Sequence, residues 1–294
     1  MHHRVQMMLA LAVGDLERAG VLSARFDAEV LLAHALGVDR RALARVRDIT
    51  EEQDDAFRRL VQRRAGREPL QHLTGSAGFR YLDVLVGPGV FVPRPETEVL
   101  AQAAIDELWR LVESGVQRPV AVDLCTGSGA VAAAMASEVP QATVTAVELS
   151  PQAHAFAVRN AQPYGVDVRL GDIADAVGDL AGQVHVVAAN PPYIPLSAFE
   201  SVTPEARNFD PPLALWSGED GLDVMRVVAR VAADLLVDNG LVVCEHADSQ
   251  GTAAPAVFAS SGVWTQVRDN LDLSRRPRFV SARRVPTDQR LLAP

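Results

Sequence analysis

Residues 120–138 read Val120-Ala121-Val122-Asp123-Leu124-Cys125-Thr126-Gly127-Ser128-Gly129-Ala130-Val131-Ala132-Ala133-Ala134-Met135-Ala136-Ser137-Glu138. The short, β-branched run Val120–Leu124 is a strand, the glycine-bearing residues after it form a tight turn, and the alanine-rich stretch is a helix. Outward from this unit the same alternation continues. Apolar runs recur at Thr143–Val147, Val166–Leu170, Val184–Ala189, Leu241–Glu245, Val263–Val267 and Arg278–Ala282, with helical stretches at Pro151–Gln162, Leu222–Val237 and Gln250–Ser260 between them. Continuous apolar strands separated by helices predict an α/β domain, a mostly parallel seven-stranded sheet covered on both faces. In such sheets ligands bind beyond the carboxyl ends of the strands.

Upstream the period changes. Val5–Gly20 places Met8, Leu9, Ala12 and Leu16 at helical spacing, and Arg25–Leu36 is a second helix, with Phe26, Val30, Leu31 and His34 in or beside its apolar stripe and Gly37 as its stop. Thr50 and Gln53 form a capping-box pattern opening a third helix that ends near Gly66. Between Phe79 and Val92 the pattern is strand-like, and the Gly87-Pro88-Gly89 signal predicts the turn of a β-hairpin. Pro93-Arg94-Pro95-Glu96-Thr97-Glu98 then opens a helix, with Pro95 near its first turn. The expected organisation is a small all-α domain over 1–75, a hairpin linker over 76–94 and the α/β domain over 95–294.

The chain has 294 residues, 48% of them apolar and 22% charged, which is the composition of a folded protein rather than a disordered one. Its 28 basic residues are all arginine, and 37 acidic residues leave a net charge of −9. No global positive field draws it onto nucleic acid or anionic membrane. No apolar run is long enough to span a bilayer. The apolar residues near the start continue at helical spacing through Leu16 and Ala19 into charged sequence, so they read as a helix, not a signal peptide, and a cytoplasmic location is expected. Cys125 and Cys244 both sit in strand-like runs and read as buried small hydrophobes.

The turn Cys125-Thr126-Gly127-Ser128-Gly129 is the first candidate site. Its glycines let a ligand approach the backbone, whose N–H groups then face polar ligand atoms. Glu148 closes the next strand, where folds of this class accept hydrogen bonds from the ribose of a nucleoside cofactor. The turn lacks the third glycine of the dinucleotide pattern, which points away from NAD and toward a smaller adenosyl ligand. Asp172 closes the third strand; it is placed either to cap the following segment or to accept from an adenine amino group, with Ile173 against the ring. Asn190-Pro191-Pro192-Tyr193 follows the fourth strand. The prolines fix φ and remove two donors, so the Pro191 carbonyl stays available as an acceptor beside the Asn190 side-chain carbonyl. Two fixed acceptors suit a planar NH₂ group, and Tyr193 adds an aromatic face. An amide or base nitrogen is a poor nucleophile, and holding both its N–H bonds aims the lone pair and stabilises the charge that grows on it.

The turn together with Asn190–Tyr193 resembles the amino-group class of S-adenosylmethionine-dependent methyltransferases. The segments Pro69-Leu70-Gln71-His72-Leu73-Thr74-Gly75, Gly89–Glu98, Phe209-Asp210-Pro211-Pro212-Leu213-Ala214-Leu215 and Gly218-Glu219-Asp220-Gly221-Leu222 narrow this to a resemblance to the HemK (PrmC) family of release-factor glutamine N5-methyltransferases, over nearly the whole chain. The resemblance implies a Rossmann-like class I methyltransferase domain. It also implies methyl transfer from S-adenosyl-L-methionine, leaving S-adenosyl-L-homocysteine, to the side-chain amide N5 of the glutamine in the Gly-Gly-Gln motif of class 1 peptide-chain release factors. The family's cofactor roles fall on Cys125, Thr126, Gly127, Ser128, Gly129, Glu148, Asp172 and Ile173, with Asn190. Its substrate roles fall on Asn190, Pro191, Pro192 and Tyr193, of which Asn190 and Pro191 are catalytic, and the helical domain docks the protein substrate. The chain departs from the family at Gly78, where glutamate is usual, at Asp210, where glutamate is common, at Cys125, often glycine, and at Ile173, often aromatic. A glutamine of a ribosomal protein, or an adenine or cytosine amino group, is the alternative acceptor.

The seven histidines show no metal-ligand spacing, so no metal site is expected. His246 reads as a satisfied core histidine. Arg275, Arg276, Arg278, Arg283 and Arg284 form the one dense basic cluster, either a solvated terminal strand or a contact for an acidic surface.

Overall fold

Short runs that are apolar on both sides can be buried only between two layers of helix, and the chain is built that way. The computed structural model describes residues 3–286. They form two units: the first runs through Ser76 and includes Val202–Phe209, and the second holds Ala77–Ser201 and the chain from Asp210 onward.

The first unit contains α1 (His3–Arg18), α2 (Ala24–Leu36), a 3-10 turn at Arg40–Arg45, α3 (Glu51–Ala65) and α4 (Leu70–Thr74). Val5, Met8, Leu9, Ala12 and Leu16 form the buried stripe of α1. The capping box is present: Thr50 Oγ1 accepts from the Gln53 N–H at 3.2 Å and Gln53 Oε1 accepts from the Thr50 N–H at 3.1 Å. On α2 the buried face differs from the expected one. It runs through Ala24, Asp27, Ala28, Leu31, Leu32 and Ala33, whereas Phe26 is 49% exposed beneath the Arg40 guanidinium. Asp27 is inside because Arg64 Nε donates to it at 2.7 Å. Arg64 also bonds Glu205, as does Arg67, so the segment Val202–Phe209 is fastened by charge. Breaking a buried pair of this kind costs about 3–5 kcal/mol.

The second unit opens with β1 (Ser76–Phe79) and β2 (Leu82–Leu85), and the turn between them is at Arg80-Tyr81, not at Gly87-Pro88-Gly89. Arg80 takes φ +53° without being glycine because its N–H donates to Glu98 at 3.0 Å and its guanidinium is paired with Glu138. Side-chain bonds there replace glycine's freedom. Next come α5 (Thr97–Glu113), β3 (Val120–Leu124), α6 (Ala130–Glu138), β4 (Thr143–Glu148), α7 (Pro151–Ala161), β5 (Asp167–Leu170) and β6 (Val184–Ala189). Pro95 lies just outside α5, with Glu96 as its N-cap. After α8 (Pro204–Phe209), which belongs to the first unit, follow α9 (Asp223–Leu235), β7 (Leu236–Glu245), α10 (Ala253–Ala259), β8 (Trp264–Leu271) and β9 (Pro277–Arg284).

The seven strands lie in the order β5-β4-β3-β6-β7-β9-β8, parallel from β5 to β7, with β9 and β8 antiparallel. Alternate residues face opposite layers. Ala121, Val186, Ala188 and Val243 pack with α5, α6 and α7, while Val122, Leu124, Val187, Ala189 and Val242 pack with α9 and α10. The chain leaves β3 for β4 and β5 on one side and returns through β6 on the other, so the strand order reverses at β3. A crevice opens at such a switch point. Of the arginine cluster, Arg276, Arg278, Arg283 and Arg284 pair with Asp248, Asp272, Glu107 and Asp238. It is a set of internal ion pairs rather than a basic patch. Among the described residues no helix is long and apolar enough to cross a membrane.

Candidate active site

Register sets what meets at the carboxyl edge. Leu124 pairs with Val147 on one side and Ala189 on the other, Glu148 pairs with Leu170, and Ala189 pairs with Cys244. The residues that follow these pairs, Cys125, Asn190 and Glu245, therefore emerge level with one another and with Glu148. Cys125, Asn190 and Glu148 border a cavity of about 310 Å³, within the range of small-molecule sites, whereas Glu245 is buried and does not line it. All the expected site residues line it except Gly129 and Pro191.

The turn after β3 has left-handed backbone at Cys125 (φ +61°), Gly127 (+58°) and Gly129 (+83°). Two of these have different causes. A Cβ on Gly129 would stand 3.0 Å from the Ala157 backbone, so glycine there lets α6 approach α7. A Cβ on Gly127 would meet nothing within 4 Å, so that position opens onto free space. Cys125 is not the strand hydrophobe expected: β3 ends at Leu124, and the thiol is half-buried on the cavity wall. Burial, with Glu148, Asp123 and Asp172 nearby, pushes its pKa up, so it stays a neutral thiol. Cys244 is fully buried in β7.

Two carboxylates hold the turn. Asp123 is buried and accepts from the Thr126 hydroxyl at 2.5 Å and the Ala132 N–H at 3.1 Å; burial nonetheless pushes its pKa up to about 7. Glu148 accepts from the Gly127 and Ser150 N–H groups, each at 2.8 Å, and burial raises its pKa also. Each Glu148 oxygen keeps a further lone pair for a ligand donor. Asp172 Oδ1 accepts from the Ala174 N–H at 2.9 Å, which is the local cap weighed from sequence, while its side chain borders the cavity beside the buried Ile173.

On the other side of β3, Asn190 Nδ2 donates to Thr97 Oγ1 at 3.3 Å. Tyr193 donates its hydroxyl to Glu245 Oε1 at 3.2 Å, and its carbonyl accepts from Gln250 Nε2 at 3.0 Å. Glu245 is 1% exposed; burial pushes its pKa up to about 7 against the pull of Thr97, Arg278 and Tyr193. Pro191 is buried, and no hydrogen bond reaches its carbonyl among the described residues. Asp210, which stands at one departure from the family pattern, accepts from Arg94 Nη2 at 2.7 Å, and the Arg94 guanidinium lies 4.8 Å from the Phe91 ring on the cavity wall. His246 is fully buried, with ring nitrogens bonded to the Ala247 carbonyl and Asp269. Among the described residues no three His, Cys, Asp or Glu side chains cluster as metal ligands would.

Sequence reasoning missed Thr97 and the apolar wall at Phe91 and Trp216, and the buried Glu245 that Tyr193 bonds. Glu245 carried the same signal as Glu148, an acid closing an apolar strand. Thr97 carried none beyond its place at a helix start.

Residues 8–75 match the family model described as the PrmC N-terminal domain, and residues 95–203 match the Methyltransferase small domain. A relative from Streptomyces coelicolor named release factor glutamine methyltransferase is 51% identical over 94% of this chain and 96% of its own length. One of the same name from Mycolicibacterium smegmatis is 44% identical over 96% and 98%. A 4-amino-L-phenylalanine/4-methylamino-L-phenylalanine methyltransferase from Streptomyces pristinaespiralis is 41% identical over 86% of this chain and 87% of its own. Among solved structures, the hMettl16 catalytic domain in complex with a 3'UTR hairpin has the same fold at 12% identity, with a TM-score of 0.52 over 69% of this chain and 75% of that one. The α/β unit is a class I methyltransferase fold, and with full-length relatives at this identity the chain belongs to the release factor glutamine methyltransferase family.

Proposed function

We propose that the chain transfers a methyl group from S-adenosyl-L-methionine to the side-chain amide nitrogen of the Gly-Gly-Gln glutamine of class 1 release factors. The observation that carries this reading is the register that sets the turn 125–129 and Asn190 on neighbouring strands, around one cavity. The residues present fit the cofactor. Gly127 leaves space where a side chain would intrude, Glu148 has lone pairs for ribose hydroxyls, and Ile173 offers an apolar surface beside Asp172 for an adenine. When bound, the sulfonium supplies an electrophilic methyl.

The chain's own residues act on the acceptor. An amide nitrogen shares its lone pair with its carbonyl, so it must be oriented before it reacts. Asn190 Oδ1 and the Pro191 carbonyl accept its two N–H bonds, hold the nitrogen, and stabilise the positive charge that develops there. Tyr193 packs against the glutamine side chain. The helical unit, matched by the PrmC N-terminal domain, docks the protein substrate. A release-factor substrate places the reaction in the cytoplasm.

The test is transfer of labelled methyl to a purified class 1 release factor, beside the same factor with its Gly-Gly-Gln glutamine changed, ribosomal proteins, duplex DNA and 4-amino-L-phenylalanine. Label on the intact factor alone is expected. Label on the changed factor or only on another acceptor would overturn the assignment.

A further inference from the structure

We infer that Gln250 is a positioning residue for the transfer: its side-chain amide fastens the main chain at Tyr193, and so sets the turn that carries Asn190 and the Pro191 carbonyl. This rests on the assignment of Asn190–Tyr193 as the segment that holds the acceptor nitrogen.

A turn built on two prolines is stiff, but it has few bonds with which to fix its own place, because Pro191 and Pro192 carry no N–H. The chain just beyond it is zipped to a neighbouring segment. The Ile194 N–H donates to the Leu215 carbonyl at 2.9 Å, and the Ser217 N–H donates to the Ile194 carbonyl at 3.0 Å. The Tyr193 carbonyl, between the prolines and this zip, receives no main-chain N–H among the described residues. Its partner is Gln250 Nε2, which donates to it at 3.0 Å. The same nitrogen donates to the Asp220 carbonyl at 3.0 Å, and Gln250 Oε1 accepts from the Ala247 N–H at 2.9 Å.

Those three partners leave the amide one orientation. A main-chain carbonyl only accepts and a main-chain N–H only donates, so a flipped amide would set oxygen against two oxygens and NH₂ against an N–H. Gln250 is 7% exposed, so the link is a buried one, and leaving its partners unmade would be costly. Packing is equally close. Gly221, at φ +79°, lies so near the turn that a Cβ there would overlap the Tyr193 carbonyl oxygen and stand 2.7 Å from Gln250 Nε2. Tyr193 is thereby held at both ends by the chain leaving β7: its phenol by Glu245, the last residue of that strand, and its carbonyl by Gln250 in the 3-10 turn that follows. Because Ala189 pairs with Cys244, β7 delivers both residues beside the turn that follows β6.

Gln250→Met keeps the length of the side chain and removes its three bonds. Gly221→Ala strikes the same carbonyl from the other side. Steady-state transfer to the release factor is measured for the wild type, each variant and the double variant, with S-adenosyl-L-homocysteine affinity and stoichiometry by calorimetry, so that kcat is counted per folded, product-binding site. A small displacement of the acceptor-holding turn predicts a kcat about tenfold below wild type for each single variant, with KM for the factor and product affinity within about twofold. The double variant is expected to lose little more than either single one, since both act on one carbonyl. A wild-type kcat per binding site in Gln250→Met, a product affinity that falls as far as kcat, or single losses that multiply in the double variant would overturn the inference. Failure of the wild type to label the factor would overturn the substrate assignment instead.

Discussion

The turns after β3 and β6 stand side by side on neighbouring strands, and each is held rigid by the opposite backbone device. Cys125–Gly129 is fixed through left-handed φ values, and the carboxylates beneath it, Asp123 and Glu148, take backbone N–H donors from the turn and the helix starts beside it, together with the Thr126 hydroxyl on Asp123. Asn190–Tyr193 is fixed by prolines, and its carboxylate, Glu245, takes the Tyr193 hydroxyl. The N–H groups of Thr126, Gly127 and Gly129 are taken by Val147, Glu148 and Thr126, so under the proposed assignment the first turn would meet the cofactor through the free space at Gly127 and the lone pairs left on Glu148. A point made of one side chain and one carbonyl suits the nitrogen of an acceptor. Under the proposed assignment, the first half should tolerate side-chain change where glycine geometry is kept, while the second should depend on the identity of single atoms.

The sharpest way to break this comparison is Asn190→Ala. If the second turn acts through one acceptor, transfer falls on the order of 10²-fold or more while S-adenosyl-L-homocysteine affinity changes only a few-fold. Radiolabel transfer beside calorimetry checks both, and a parallel loss of the two would merge the halves into one binding surface.

Next is pH. Asp123 and Glu245 both have pKa values raised by burial to about 7, so their neutral forms are favoured on folding. Glu245 is faced by Thr97, Tyr193, Arg278 and Glu96, and its net shift stays upward. A raised acid contributes stability that is full below its unfolded pKa, near 4.5 for Glu245, and is lost as pH climbs through about 7. Glu245→Gln removes that dependence, so relative to the variant the wild type should lose on the order of 2 kcal/mol between about pH 4 and pH 8. Melting curves across that range test it, and parallel curves would show that the carboxylate is not desolvated as described.

The smallest effect separates the two glycines of the first turn. Gly129→Ala meets the Ala157 backbone and a left-handed φ, and should cost about 2 kcal/mol, while Gly127→Ala, with open space around it, should cost only the left-handed penalty of about 1 kcal/mol. Cofactor affinity should order the other way, because only position 127 opens into free space. Equal melting temperatures would leave the close approach of α6 to α7 without weight.

What was legible in the sequence is what local pattern determines. The pattern fixes Val120–Leu124 and Val184–Ala189 to the residue and the alanine-rich helix that follows Gly129, because strands buried on both faces and an alanine helix after glycines leave little choice. Thr50 was read as a cap because its partner is three residues away. What escaped depends on distant partners. Asp27 could not be placed inside α2 without Arg64, nor the hairpin turn at Arg80 without Glu98 and Glu138. Thr97 has no meaning until Asn190 is brought to it at the end of β6.

The segment Val202–Phe209 carries one more consequence. Glu205 is encoded far downstream of the two arginines that hold it, in the middle of the methyltransferase unit's own sequence. The helical unit is therefore not a cassette. A gene cut after codon 76 would express Arg64 with only Asp27 and Arg67 without Glu205, and a domain exchange confined to the first 76 codons would pair one protein's arginines with another protein's loop. The two units have to be inherited, and engineered, together.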